Sequence, residues 1–217
     1  MAHFPVAPPP RTIVYIDGLN FYYGAVRCTP HKWLNVDRYF TMLRPADDLR
    51  AIKYFTALVA GPTQPNQREF LRALATTPRV EVTLGRFKQK RIKCEYLPCA
   101  ADPPARYFEK PEEKRTDVNI AVTMIDDAYQ DRCDQFVLVS GDSDLVPAVN
   151  LIRQRFPAKR VVVYIPAQQN SIRSGAVELR MAAHVARTLP LNILAKAQFP
   201  GTLPDGAGGI IAKPTTW

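Results

Sequence analysis

No stretch of this sequence approaches the ~18 consecutive apolar residues that a membrane-crossing helix requires, so no such span is expected. The opening residues, MAHFPVAPPPR, lack the basic and apolar segments of a secretory signal. With four prolines in ten positions, residues 1–10 predict an extended, mobile arm instead. Cysteine is scarce: Cys28, Cys94, Cys99 and Cys133 are too few and too scattered for a disulfide framework, which fits a reducing, cytoplasmic compartment. The three histidines (His3, His31 and His184) have no metal-like spacing. Cys94 and Cys99 lack a second Cys/His pair nearby, so zinc has no set of about four ligands, and both read as structural. A Ser-centred elbow and a P-loop glycine pattern are also missing, which leaves acyl transfer and nucleotide hydrolysis without support.

Acidic residues are in deficit as well. Twenty Asp+Glu against twenty-nine Lys+Arg give a net charge of +9. Such an excess points to a polyanionic partner, nucleic acid first and an anionic membrane surface second. The length of 217 residues, with 47% apolar and 23% charged residues, is that of a globular chain of one domain or at most two.

Strands are predicted at residues 12–16, 52–59, 80–87, 136–139, 160–165 and 184–189, from β-branched and aromatic runs ended by turn residues. Helices are predicted at about 20–28, with Asn20 as cap, and at 36–43, 66–76, 145–155 and 171–182. Another is expected after Thr116, its cap, with Val118, Ala121, Val122, Ile125 and Tyr129 on helical spacing. Residues 88–111 carry prolines at 98, 103, 104 and 111 and read as an irregular insertion. Residues 191–217, rich in Gly and Pro, read as a tail wrapping the surface of a domain spanning 11–190. Apolar strands separated by helices imply parallel pairing with right-handed crossovers, hence a three-layer α/β/α sandwich around a mostly parallel sheet.

In such sheets ligands bind beyond the carboxyl ends of the strands, where strand order reverses. Two apolar strands here end in acids: IVYID at Asp17, and FVLVSGDSD at Asp142 and Asp144. A third acid, Asp117, opens the helix after the irregular segment. Each also has an ordinary role available: a turn residue before Gly18, a cap for the helix near Leu145, a charge complementing a helix dipole. Together, four carboxylates in a small volume raise one another's pKa, and a divalent cation relieves that repulsion. Hard oxygen donors suit Mg²⁺ or Mn²⁺, which activate water for displacement at a phosphodiester.

The segments IDGLNFYYG, EEKRTDVNIAV and VLVSGDSDLVPAV resemble, in order and spacing, three signature blocks of the NYN domain, a branch of the PIN-like nuclease superfamily. The resemblance covers about residues 11–190, and the QFP…KPTTW tail is similar to those of stand-alone bacterial members. It implies a parallel-sheet α/β/α fold and a Mg²⁺- or Mn²⁺-dependent endoribonuclease. Asp17, Asp117, Asp142 and Asp144 would bind the metal; Asn20, Lys114, Ser140 and Ser143 would fill the motif's polar positions, orienting water or substrate phosphate. One departure stands out: relatives often carry an acid where this chain has His184, which reads here as a partly buried structural histidine.

Residues 86–93, RFKQKRIK, gather Arg86, Lys88, Lys90, Arg91 and Lys93 around Phe87. Alternation on a strand puts part of this cluster on one face, a stripe for an RNA backbone, with Phe87 available for base stacking or for the core. Arg153, Arg155, Lys159 and Arg160 form a second basic group, expected at an exposed helix end. Two rivals to a ribonuclease exist. SGDSDL is similar to the late acidic motif of haloacid-dehalogenase-like phosphatases, but these need Asp-x-Asp after the first strand, and this chain has Asp17-Gly18-Leu19-Asn20. The other is a non-catalytic RNA-binding adaptor that keeps the fold.

Overall fold

A computed structural model describes residues 7–94, 107–167 and 176–217. Most of the proline arm's first residues, Cys99, the segment with Pro98, Pro103 and Pro104, and the start of the helix expected from 171 lie outside them. The chain opens on β1 (Arg11–Asp17), then α1 (Gly18–Phe21) and a π-helical turn (Tyr22–Val26), α2 (Val36–Leu43), β2 (Asp48–Thr56), α3 (Gln64–Ala75) and β3 (Val80–Leu84). Next come β4 (Arg86–Lys93), β5 (Tyr107–Lys114), α4 (Thr116–Tyr129), β6 (Gln135–Val139), a 3₁₀ turn (Ser143–Leu145) and α5 (Val146–Arg155). The chain continues through β7 (Arg160–Ile165), α6 (Ala176–Ala182), β8 (Val185–Thr188), a 3₁₀ turn (Leu194–Ala197), β9 (Thr202–Pro204) and β10 (Ile210–Ala212).

Six strands form one sheet in the order β3-β2-β1-β6-β7-β8, every pairing parallel. Strand order reverses between β1 and β6. Side-chain alternation sorts the core onto two faces. Val14, Ile16, Val137 and Val139 face α2, α3 and the C-terminal segment. Ile13, Tyr15, Phe136 and Leu138 face α4, α5 and α6. The three-layer α/β/α arrangement expected from the strand-helix rhythm is the one present.

Three local expectations are corrected. Residues 88–93 and 107–111 are not irregular: β4 and β5 form an antiparallel ribbon, with Arg86 opposite Lys114 and Lys93 opposite Tyr107. Pro111 fits because both strands of a two-stranded ribbon are edges, where a missing N–H costs no ladder bond on the open side. The strand expected over 80–87 breaks at Gly85, where a Cβ would stand 2.7 Å from Glu113 Oε1 and from Thr116 Oγ1. The C-terminal residues do more than wrap the surface: Leu194, Phe199, Leu203 and Ile211 are buried, and Trp33 Nε1 donates to the Pro200 carbonyl at 2.7 Å.

Candidate metal centre

The ends of β1 and β6 meet where strand order reverses. Asp17 is buried and plays two parts. Its Oδ1 accepts from Asn20 N at 3.0 Å, which makes Asp17, rather than Asn20, the cap of α1. Its Oδ2 accepts from Ser140 Oγ at 3.0 Å. Asn20 instead bridges two loops. Its Oδ1 accepts from Gly141 N at 3.1 Å, tying the loop after β1 to the loop after β6. Ser140 Oγ also accepts from Asp142 N at 3.1 Å, and Asp142 Oδ1 accepts from Asp144 N at 3.0 Å, capping the 3₁₀ turn. The capping role open to Asp142 is thus realised, and Asp17 takes the one expected of Asn20, each alongside its place in the cluster. Gly18 is required here, since a Cβ would lie 2.7 Å from the Phe55 carbonyl and from the Tyr54 ring.

The third acid arrives from the ribbon. Arg115, at φ 85°, turns the chain in the left-handed region from β5 into α4. Thr116 is the first helical residue and not the cap; its N and Oγ1 both donate to Glu113 Oε1. That clasp sets Glu113 beside Asp117, and with Asp17, Asn20 and Asp142 they line a cleft of about 240 Å³. Glu113 is not among the acids expected from sequence, although it lies in the EEKRTD segment; three residues before Thr116, it has the spacing of an acid that satisfies a helix start.

The cleft is electrostatically strained. Burial pushes the Asp17 carboxyl up to about 6, against hydrogen bonds from Asn20 and Ser140 that lower it, with Asp142 and Glu113 adding repulsion. Burial, then Asp17, Asp142, Glu113 and Asp144, push Asp117 up to about 7. The donor chemistry suits a hard dication: the cleft's ionisable ligands are carboxylates, and their repulsion is what such an ion would relieve. Asp142 Oδ2 and both Asp117 oxygens take no hydrogen bond among the described residues. Among the described residues, no three His, Cys, Asp or Glu side chains are grouped to hold an ion directly. A cation here would therefore be bound partly through its own water, as Mg²⁺ commonly is.

The remaining expected residues fall at varied distances from this cleft. Asp144 is exposed and outside the lining, acting on it through its charge and through its N–H to Asp142. Ser143 begins the 3₁₀ turn and does not line the cleft. Lys114 points to the opposite ribbon face from Glu113 and pairs with Glu112 at 2.8 Å. With Arg86, Lys88 and Lys90 it shares that face, which β5 extends with Lys110. Arg91 and Lys93 take the other face, where Arg91 lies 4.4 Å over the Tyr107 ring. Phe87 is half-buried opposite Glu113. His184 sits at the far end of the sheet, its exposed ring accepting from Val161 N through Nδ1 at 3.0 Å. The second basic group is mixed: Lys159 is buried and donates to Asp131 at 2.6 Å, while Arg153, half-buried, donates to the Ala182 carbonyl. A second cavity, of about 440 Å³, abuts the cleft across Leu19 and Tyr23.

A family model described as the NYN domain matches residues 11–187, and the chain belongs to that family. It is 32% identical to the 6-hydroxy-3-succinoylpyridine 3-monooxygenase of Pseudomonas putida, a similarity covering 96% of this chain and 76% of that protein. A protein of unknown function from Vibrio parahaemolyticus has the same fold at TM-score 0.56 and 21% identity, over 86% of this chain and 97% of that one. Among the described residues no helix is long and apolar enough to cross a membrane.

Proposed function

We propose that this member of the NYN domain family is a metal-dependent endoribonuclease, with Asp17, Asp117 and Asp142 holding Mg²⁺ or Mn²⁺ at the reversal of strand order. The observation that carries the reading is the shared cleft of these acids, built by three separate segments, one of them the ribbon that brings Glu113 to the cleft and carries its cations on the opposite face. When bound, the cation supplies Lewis-acid charge and an activated water at a phosphodiester. Ser140 and Asn20 hold Asp17 and the 140–142 loop in register. Asp117, half-buried on the rim with free carboxylate oxygens, accepts the proton of the attacking water, and Glu113 orients the start of α4 that carries it. Arg86, Lys88, Lys90, Lys110 and Lys114 lay the RNA backbone along the ribbon; Asp144, exposed, and Ser143 shape the loop beside it.

The test is cleavage of single-stranded RNA with Mg²⁺ or Mn²⁺. The intact protein should cleave, chelation should stop it, and Asp142→Asn should be inactive; equal cleavage by both proteins removes the site assignment. Binding without cleavage would favour the adaptor reading. Lys88→Gln with Lys90→Gln should weaken RNA binding and reduce its salt slope by roughly 1.4, about 0.7 per lost contact to a single strand. An unchanged slope would take the RNA path off the ribbon.

One observation favours a second reading. The name of the Pseudomonas relative suggests a substituted pyridine as substrate, and the cavity beside the cleft is lined with aromatic rings. Monooxygenation would consume dioxygen and a two-electron reductant. Oxygen uptake with a hydroxypyridine and a reduced nicotinamide, in the absence of RNA cleavage, would put this reading first.

A further inference from the structure

The cavity of about 440 Å³ on the α3 side of the sheet is unlike the acid cleft in every respect but position. Six aromatic residues line it: Phe21, Tyr22, Tyr23, Tyr54, Phe70 and Trp217. Three touch one another, with Phe70 centred 6.1 Å from Tyr54 in an edge-on contact and 5.6 Å from Trp217 in a tilted one. Its size suits one ring system with a short substituent, at the lower end of the roughly 300–1,000 Å³ of small-molecule sites.

Its charge is of one sign. Arg27 and Lys32 are its only charged lining residues, and neither is paired with a carboxylate among the described residues. Arg27 comes off the π-helical turn, whose wide ring is closed by Arg27 N donating to the Tyr22 carbonyl at 2.8 Å. The guanidinium lies 5.3 Å from the centre of the Tyr23 ring, held at the rim. Such turns often mark functional positions. Gln67 is committed, accepting from Val59 N at 2.8 Å and donating to the Ala57 carbonyl at 2.9 Å. Tyr54 is not: it is only 5% exposed, yet its hydroxyl makes no hydrogen bond among the described residues. Burial first, and then Asp17, hold that hydroxyl protonated, so it stays a donor among the lining residues.

We propose that this cavity binds one planar aromatic ring bearing an anionic group, the ring on Phe70, Tyr54 and Trp217, the anion against Arg27 and Lys32, and the Tyr54 hydroxyl donating to a ring acceptor. Because Leu19 and Tyr23 line both cavities, the bound ligand lies next to the acid cleft. Two sources share this chemistry: a nucleotide, whose base enters while its phosphate meets the cations, and a free aromatic carboxylic acid. For a nucleotide the inference rests on the ribonuclease reading above; for a carboxylic acid it stands without it.

Calorimetric titration of the full chain distinguishes the cases, using the four ribonucleoside 5′-monophosphates in one arm and hydroxypyridine carboxylic acids in the other. Inorganic phosphate and benzene serve as the anion-only and ring-only controls. The expected result is saturable binding in one arm, at least tenfold tighter than either control and weakened at least tenfold by Arg27→Gln with Lys32→Gln. Neither replaced residue belongs to an ion pair among the described residues, so the double variant should fold; circular dichroism checks this. Tyr54→Phe should weaken binding of ligands with a ring acceptor and leave benzene unaffected. Binding in neither arm, or binding undiminished in the folded double variant, overturns the inference. If RNA is still cleaved in that case, the acid-site reading survives; if a carboxylic acid binds and no RNA is cleaved, the cavity stands and the ribonuclease reading falls.

Discussion

Asp17→Asn is expected to lower Mn²⁺-dependent RNA cleavage by roughly 10²–10³-fold, the cost of removing one preorganised charge from an active site, while making the metal-free protein more stable. The two effects have one origin. Asp17 is buried, and its carboxyl is pushed up to about 6 from an ordinary 3.8. A rise of that size corresponds to roughly 3 kcal/mol of disfavoured charge. The folded state binds this proton more tightly than the unfolded chain, so stability falls as pH rises from about 4 to about 6, and the full penalty stands above that. Asp117, held near 7, extends the same slope to neutrality.

Asparagine removes the charge and keeps the shape; its Oδ1 can still accept from Asn20 N, although the bond with Ser140 must rearrange. The gain in thermal denaturation at pH 8 should therefore approach, and not exceed, about 3 kcal/mol. Mn²⁺ should close most of that gap. At a hundredfold excess over its dissociation constant it stabilises the parent by about 2.7 kcal/mol and should do much less for the variant. A variant that keeps both the parent's cleavage rate and its Mn²⁺-induced rise in Tm would dispose of the metal-centre reading.

Much of this centre is legible in the sequence, for a physical reason. Asp17 and Asp142 follow apolar runs long enough to be strands, and a parallel sheet must bring such ends to one edge. Asp117 is legible from the helix it opens. Glu113 is hidden because prolines obscure β5, so the alternation that turns Glu113 and Lys114 to opposite faces has no visible strand to act on. Alternation divides the five cations of β4 between two faces, and strand register, which no local pattern prints, recruits Lys110 and Lys114 from the partner strand. The aromatic cavity cannot be read locally at all: Tyr54, Phe70 and Trp217 come from β2, α3 and the last residue, and meet only in the folded chain. Gly and Pro in the tail conceal the apolar residues between them, which pack into the core.

The second large effect lies beneath the site. Lys53→Met is expected to destabilise the protein by about 3–5 kcal/mol, the cost of breaking a buried ion pair from one side. Lys53 sits in β2 and is 8% exposed; its Nζ donates to both oxygens of the fully buried Asp127, at 2.7 and 3.0 Å. Tyr15 Oη donates to the same carboxylate at 2.6 Å and Arg132 Nη1 at 2.7 Å. Methionine fills the space of the lysine stem but leaves Asp127 short of its one buried cation. Adding Asp127→Asn should recover part of the loss, because the stranded charge goes with it, and Tyr15→Phe should cost only about 1–3 kcal/mol, the range for leaving one buried hydrogen-bonding group unsatisfied. Urea denaturation at constant m-value measures all three. The consequence reaches the acid cleft: Tyr15 lies opposite Lys53 in the β1–β2 pairing and shares its face of β1 with Asp17, two residues on. Lys53→Met should therefore also loosen the Asp17–Ser140 contact and lower the Mn²⁺-induced rise in Tm; a loss below about 1 kcal/mol would mean that water already compensates Asp127 and that the network does not support the cleft.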